Sequence, residues 1–378
     1  MRFEGSFSQP YELNIDFSGS SYNFNTANKT VEIFVSNHYG NVNLPMGAEN
    51  ALMNNPYTGD MFNGIVNVPD SVTNCWCMLQ YLPNYNAPHT LGNNVNMCSA
   101  MFQGSENLNS RVTFPASGNG NISSCSSMFT NCKSFNNLKI EKPYYVNYAQ
   151  SMFYDCYVFN QPVTNLHAKN PSYMFGFCNK FNQPVNIPDH DASGDCRGMF
   201  YACYEMNSPV TIGNNIVNCY EMFYLCGNMR QSVTMPDTVM NCGNMFNQCT
   251  NFNQPIHISD GVTNCKYMFR SCSSFNSPIS WSPSGYVDCN GMFMGCRSFN
   301  QPITLPEYVF NCSSMFEDCI KLNQEITIPN TFNLYYIDGM FKRCTNQNSP
   351  IYVPSRFNVY GGGISGWSAE ANNCIVWY

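Results

Sequence analysis

Twenty-one cysteines in 378 residues raise two chemistries at once, disulfide bonding and metal ligation. Their spacing argues against both. Counted from a recurring Met-Phe pair whose Met is position zero, nine lie at −3 (Cys75, Cys98, Cys125, Cys196, Cys219, Cys242, Cys265, Cys289, Cys312) and ten at +4 (Cys132, Cys156, Cys178, Cys203, Cys226, Cys249, Cys272, Cys296, Cys319, Cys344). Residues seven apart on one helical segment are separated by roughly 10 Å along its axis, beyond the ~7 Å reach of a disulfide. No pair within a unit can close; equivalent Cys in adjacent coils could approach, yet Ala149, Pro171, Ile337 and Ser105 occupy the same slots. The slots are therefore expected to want small or apolar volume, with buried thiols acting as small hydrophobes. Cys77 and Cys374 stand outside both series and are the expected reactive exceptions.

The remaining chemistry-bearing residues form few constellations. His38, His89, His167, His190 and His257 are scattered, and none recurs with a nucleophile or carboxylate at a catalytic spacing; local turn and surface roles are expected for them. No nucleophile elbow, phosphate loop, HExxH or Cys-x-x-Cys pair occurs. The sharpest local signal runs from Asp189 to Asp195. There Asp189, Asp191, Ser193 and Asp195 alternate as oxygen donors with Gly194 sixth, as at the start of a calcium loop. The twelfth position is Phe200 rather than a bidentate Glu, which favours a polar turn. No other cofactor is implied.

What must position these groups is a repeat. Met222-Phe223, Met245-Phe246, Met268-Phe269, Met292-Phe293 and Met315-Phe316 recur every 23 or 24 residues, and units of that size must stack to bury their apolar faces. Apolar or Cys residues fall at −6, −3, 0, +1, +4, +7, +11 and +13. Offsets −3, 0, +1 and +4 match the stripe of a short helix. Offsets +11 and +13 alternate with a polar residue, as in Ile256-His257-Ile258, and predict a short strand. Phe-Asn-Gln-Pro separates the two (Phe159–Pro162, Phe252–Pro255), with Pro ending one element and opening the other. The Asn at +8 is expected to align from coil to coil as a ladder that satisfies turn backbone.

The strand residue at +12 should face outward: Thr164, Asn186, Thr211, Thr234, His257, Ser280, Thr304, Thr327 and Tyr352. A polar sheet of this kind is a usual solenoid binding face, so these residues form the candidate binding surface. Trp281, at +13, is expected in the core.

Charged residues make up 11% of the chain, against roughly a quarter in an average soluble protein. With 17 Lys plus Arg and a net charge of −7 there is no basic stripe for nucleic acid. No apolar run reaches the ~18 residues of a membrane span, and the start, Met1-Arg2-Phe3-Glu4, lacks a secretory signal pattern. Residues 1–60 are expected to form a β-rich N-terminal cap or attachment module, with strands near Tyr11–Phe17 and Thr30–Ser36. Residues 61–354 form the solenoid and 355–378 a C-terminal cap that buries the apolar terminus.

The register Val-x-Asn-Cys-x-x-Met-Phe-x-x-Cys-x-x-Phe-Asn-x-Pro-Ile-x-Ile-Pro resembles the BspA-like leucine-rich repeats. It is also similar to mycoplasma-type surface-protein repeats in which Met-Phe and Phe-Asn-Gln recur together. The resemblance implies an α/β repeat solenoid of about twelve 23-residue coils, with a parallel β-sheet on one face and short helical segments on the other. It also implies a non-enzymatic role in adhesion or host contact. Together with the missing export signal, it leads to the expectation of a virion component, such as a phage tail, fibre or head-decoration protein. Such a protein would bind other virion or surface proteins through the N-terminal module and a host-surface protein or glycan through the solenoid. A bacterial or protist cell-surface adhesin is the alternative.

Overall fold

A computed structural model describes residues 64–189, 194–281, 285–358 and 364–378 in full, and the strand backbones Ser21–Asn25, Thr30–Phe34, Val42–Asn43 and Asn50–Asn54. The predicted strand at Tyr11–Phe17 lies outside the described residues. Two compact units divide the chain, Met1–Gln183 and Pro184–Tyr378, and each is a β-solenoid of parallel coils; together they carry about twelve turns.

In the first unit, Ser21–Asn25 pairs antiparallel with Thr30–Phe34, which pairs parallel with Asn50–Asn54. Thereafter every pairing is parallel. His89–Thr90, Val112–Phe114 and Leu138–Ile140 form one column, while Asn121–Ser124, Tyr144–Tyr148 and Leu166–Ala168 form a second. The second unit repeats the two columns, for example Ile256–Ile258 beside Ile279–Trp281 and Val287–Asp288 beside Val309–Asn311. The first column is the +11 to +13 strand. The second, ending at −4, accounts for the apolar residue at −6.

The predicted helical segments are absent. Among the described residues the helices are Ser355–Phe357 (3₁₀) and Ala369–Asn373, both after the last repeat. Around each described Met-Phe pair the chain instead makes overlapping turns, with N–H groups at 0, +2, +4 and +7 donating to carbonyls three residues back. One instance is Met245 to Cys242 (3.2 Å), Asn247 to Asn244 (3.0 Å), Cys249 to Phe246 (2.9 Å) and Phe252 to Cys249 (3.0 Å). The intervening N–H groups at −3, −1, +1 and +3 donate to the next coil: Cys242 to Asn264, Asn244 to Lys266, Phe246 to Met268 and Gln248 to Arg270, all 2.7–3.0 Å. The third residue of two of these turns has positive φ, as a type II turn requires: Asn244 at 55° and Gln248 at 63°. An apolar stripe at 3 and 4 residue spacing fits this turn ladder as well as a helix, because both bury the same offsets.

Turns that climb one coil per repeat stack like side chains. The Phe rings at +1 lie nearly parallel at 5.4–5.6 Å from Phe102 through Phe129 and Phe153 to Phe175. In the second unit they continue from Phe200 to Phe341 at 5.3–5.7 Å. A second Phe column at +7 packs against the first, Phe252 on Phe246 at 4.2 Å. Among the described residues, the Met and Phe of every Met-Phe pair and nearly all Cys are buried.

The predicted Asn ladder at +8 is present. Asn86, Asn109, Asn136 and Asn160 each accept, through Oδ1, the backbone N–H of the equivalent residue in the next coil at 2.7–3.0 Å. Asn253, Asn276, Asn300 and Asn323 do the same in the second unit at 2.7–2.9 Å. A second set at −4 opens the Met-Phe turns: Asn218, Asn241, Asn264, Asp288 and Asn311 accept the N–H two residues on.

At the C-terminus Trp367 is buried, edge-on to Phe341 at 4.6 Å, with its Nε1–H donating to the Ile337 carbonyl. The closing strand Ile375–Trp377 pairs parallel with Ile351–Val353. Its residues are half-buried or exposed, with Val376 at 41% and Tyr378 at 48%, so the terminus is less buried than expected. No helix among the described residues is long and apolar enough to cross a membrane.

Candidate functional site

The alternation that defines the strand face is clear. In Val185–Ile187, Val210–Ile212 and Ile256–Ile258 the flanking residues are buried and the middle one exposed. Asn186, Thr211, Thr234, His257, Ser280, Thr304 and Thr327 are exposed, and Tyr352 is half-buried. All eight belong to the second unit. Thr164, in the first, is exposed but sits in a turn; the strand there is Leu166–Ala168, which puts His167 beside Tyr145 with rings stacked at 4.9 Å. Thr234 and Thr304 are likewise exposed without belonging to a strand. Trp281 is half-buried rather than in the core, and its Nε1–H donates to the Thr304 carbonyl at 2.6 Å.

Within the face of the second unit, Thr234, His257 and Ser280 line one groove of about 500 Å³. His257 Nδ1 and Ser280 Oγ are 2.9 Å apart. Pro255, Pro278, Ile256 and Ile279 give the groove apolar walls, and Asp237 at its rim accepts the Ser259 hydroxyl at 3.0 Å. Apolar walls with a few converging polar groups suit a small polar ligand or an exposed loop. The His257–Ser280 pair lies on an open sheet. The described groups around it include no carboxylate bonded to the imidazole, so the pair lacks the orienting third member of a hydrolytic triad.

The sequence missed a corresponding feature of the first unit. Thr90, Asp70, Asn93 and Ser117 line a groove of about 460 Å³, with Asn93 Nδ2 on Asp70 Oδ1 at 2.9 Å and Ser117 Oγ on Asn93 Oδ1 at 2.6 Å. Thr90 is the outward +12 residue of its strand, whereas Asp70, Asn93 and Ser117 lie in the loops after successive strands, where the repeat is least regular.

The calcium reading gains no support. Asp191 and Ser193 lie outside the described residues. Asp189 Oδ1 accepts the Asn214 N–H at 2.7 Å, while both carboxylate oxygens of Asp195 face Arg197, as acceptors of its N–H and its guanidinium at 3.0 and 3.1 Å. A guanidinium on a proposed cation ligand opposes the ion. Among the described residues, no three His, Cys, Asp or Glu side chains converge as metal ligands.

His89 also departs from expectation. Rather than a surface role, it fills the inward +11 slot, 2% exposed and edge-on to Phe102 at 5.4 Å. Neither ring nitrogen meets a hydrogen-bond partner in the protein. Burial lowers its pKa to about 4.

The two thiol series differ. Nine +4 thiols between Cys132 and Cys344 donate to the carbonyl of the Phe at +1 in the preceding coil, as Cys249 to Phe223 and Cys272 to Phe246 (both 2.9 Å). Ser105 makes the same bond to Leu79. The −3 slot takes the buried Ala149, Pro171 and Ile337 as well as Cys98 and Cys242, whose thiols donate to the Ser124 and Asn264 carbonyls at 3.5 and 3.2 Å, so a donor is used there without being required; the +4 slot favours one. Burial pushes the thiols of Cys249 and Cys272 up. Cys77 and Cys374 are the two cysteines that are not buried.

No curated protein matches the chain. Its fold is similar to a leucine-rich repeat protein from Bacteroides ovatus ATCC 8483, with 13% identity, a TM-score of 0.42 and coverage of 97% of this chain and 100% of that one. It is also similar to a leucine rich cell surface protein from Faecalibacterium prausnitzii A2-165, with 14% identity, a TM-score of 0.39 and coverage of 99% and 96%. A family model matches residues 72–172, 167–235, 217–308 and 306–360, the span of the coils built on the Met-Phe turn. The chain therefore belongs to the family described as Mycoplasma protein of unknown function, DUF285.

Proposed function

We propose that this chain is a non-enzymatic recognition protein displayed at a cell surface, where its strand face binds a protein or glycan partner. The observation that carries this reading is the row of exposed polar residues in the second unit, with the Thr234–His257–Ser280 groove at its middle. The core side chains are committed to stacking, so the outward positions are the ones free to vary for a ligand. Low charge on the exterior suits contacts made by hydrogen bonds and apolar walls rather than by phosphate pairing. Residues 1–60 would tether the chain. The virion role expected from the sequence has no observation in its favour, and the cell-surface adhesin is the reading adopted.

Antibody labelling of intact source cells tests location: signal on unpermeabilised cells is expected, and signal only after lysis would reject display. Binding of the purified chain to protein and glycan arrays tests the face. His257→Ala and Thr234→Ala should each weaken the leading ligand about tenfold, the loss of one good polar contact, with unchanged circular dichroism. Unchanged affinity in both would move the site elsewhere.

A further inference from the structure

The −3 thiols face one another. Cys98 and Cys125 Sγ are 3.2 Å apart, and Cys242 and Cys265 Sγ 3.6 Å apart. In each pair the backbones run side by side, with Cys98 N–H on the Ser124 carbonyl at 2.9 Å and Cys242 N–H on the Asn264 carbonyl at 3.0 Å. Neighbouring strands lie about 4.8 Å apart, inside the 4.4–6.8 Å window of Cα separations that a disulfide spans. Closing the bond therefore needs the sulfurs to approach, not the coils to shift. Cys98 and Cys242 also direct their S–H toward the Ser124 and Asn264 carbonyls, at 3.5 and 3.2 Å, but unlike the +4 thiols they keep a second sulfur within 3.6 Å.

We propose that the −3 column is a site of covalent modification: thiol exchange with a small disulfide, such as oxidised glutathione, bridges Cys98 to Cys125 and Cys242 to Cys265 across adjacent coils. One cysteine thiolate attacks the glutathione disulfide, forming a mixed disulfide and expelling one glutathione thiolate, which takes up the proton released. The neighbouring thiolate then attacks the protein sulfur and expels the second glutathione. Two protein thiols are oxidised and one disulfide is reduced to two thiols. The next slot after Cys125 holds Ala149, so Cys125 has its one sulfur neighbour in Cys98. Cys265 also interacts with Cys289 in the following slot, and since one sulfur closes one bridge, the bridge to Cys242 excludes one to Cys289.

All four thiols are buried, and their hydrogen bonding and burial hold the Cys98 and Cys242 thiols in the protonated form. Exchange consequently proceeds while a coil is open, during folding or local opening. A surface-displayed chain would meet oxidised small thiols at that stage, but the geometry stands whether or not the strand face binds a partner.

The full chain is reduced, unfolded and refolded by dilution into a glutathione redox buffer, then alkylated and mapped by non-reducing peptide mass spectrometry. A parallel sample of native chain is incubated with oxidised glutathione for days, so that the result does not depend on refolding yield. Peptides joined through Cys98–Cys125 and Cys242–Cys265 are expected, each bridge lowering the mass by two hydrogens. In Cys125→Ala, a residue already present at 149, the first bridge should vanish and the second persist. All thiols free in both samples, or bridges between any other pairs, would overturn the proposal.

Discussion

Ser105 donates its hydroxyl hydrogen to the Leu79 carbonyl across 3.0 Å, the contact that Cys132 makes to Phe102 through sulfur one coil later. The +4 column thus selects a donor rather than a volume. Cys249→Ser should retain the bond to Phe223, whereas Cys249→Ala removes it and leaves a small void. A loss of about 1–2 kcal/mol is expected for Ala and less for Ser. At −3 the order should reverse at a thiol that packs as volume, with Cys312→Ala milder than Cys312→Ser, because the slot also takes the buried Ala149 and a buried hydroxyl there would be a poorer fit than a methyl. Denaturant unfolding of the four variants checks both; Ala milder than Ser at 249 would show that volume decides after all.

His89 makes stability depend on acidity. The fold holds its pKa at about 4, below the ordinary 6.5, so between those values the unfolded chain binds the proton and the folded chain does not. Stability is then full above pH 6.5 and falls as pH drops toward 4, by about 3 kcal/mol in all. His89→Val, the residue at the equivalent Val112, should remove this dependence and raise stability at neutral pH. Unfolding midpoints at pH 7, 5.5 and 4.5 give the comparison, and parallel curves for both proteins would refute the assignment.

Arg230 interrupts the +8 Asn ladder of the second unit. Its N–H bonds Asn207 Oδ1 at 2.9 Å, but it carries no amide oxygen to pass on to the next coil. Arg230→Asn should restore that acceptor and stabilise by about 0.5–1 kcal/mol. A thermal shift of a degree or more upward is the expected readout, and a downward shift would mean that the Arg side chain contributes more than the ladder bond.

Gly291 stands at −1 with φ of +58°, and a Cβ there would fall 2.3 Å from the Tyr267 ring. Gly291→Ala should cost about 2–3 kcal/mol, from left-handed backbone and overpacking together. Tyr267→Ser, made in the same chain, should recover the packing part. Full additivity of the two substitutions in unfolding free energy would contradict a contact between them.

The sequence carries the stack and its side-chain order plainly, because burial at 0, +1, +4 and +7 repeats in every coil whatever the backbone does. It carries the backbone poorly. Cys242, Met245, Phe246 and Cys249 fit a helix and a turn ladder equally, and the deciding signal lay at −1 and +3. There Asn131, Asp155, Asn244, Gly291 and Gly295 are residues that accept positive φ. Leu225 and Phe177 at the same offsets obscure it, held left-handed by the coils on either side rather than by preference. His257 on the candidate face was legible from strand alternation alone, as Thr90 would have been in the first unit, while Asp70, Asn93 and Ser117 of that groove belong to loops that no strand or turn offset marks. His89 was misjudged for the opposite reason: its offset was inward, and the ordinary surface habit of histidine outweighed it.

The hydrogen-bond pattern of the Met-Phe segment has a sense. Within each unit the N–H groups at −3, −1, +1 and +3 point to the coil that follows, as from Cys242, Asn244, Phe246 and Gln248, and the +4 thiol of that coil returns a bond to the carbonyl at +1. Each unit is thus vectorial, like a stack of cups, and a new layer fits only in the same orientation as its neighbours. Duplicating a whole coil therefore inserts a layer with its donors and acceptors already matched, whereas adding part of one strands half of them. Length in such a molecule can change by copying alone, which explains why so long a chain is written in so few distinct phrases.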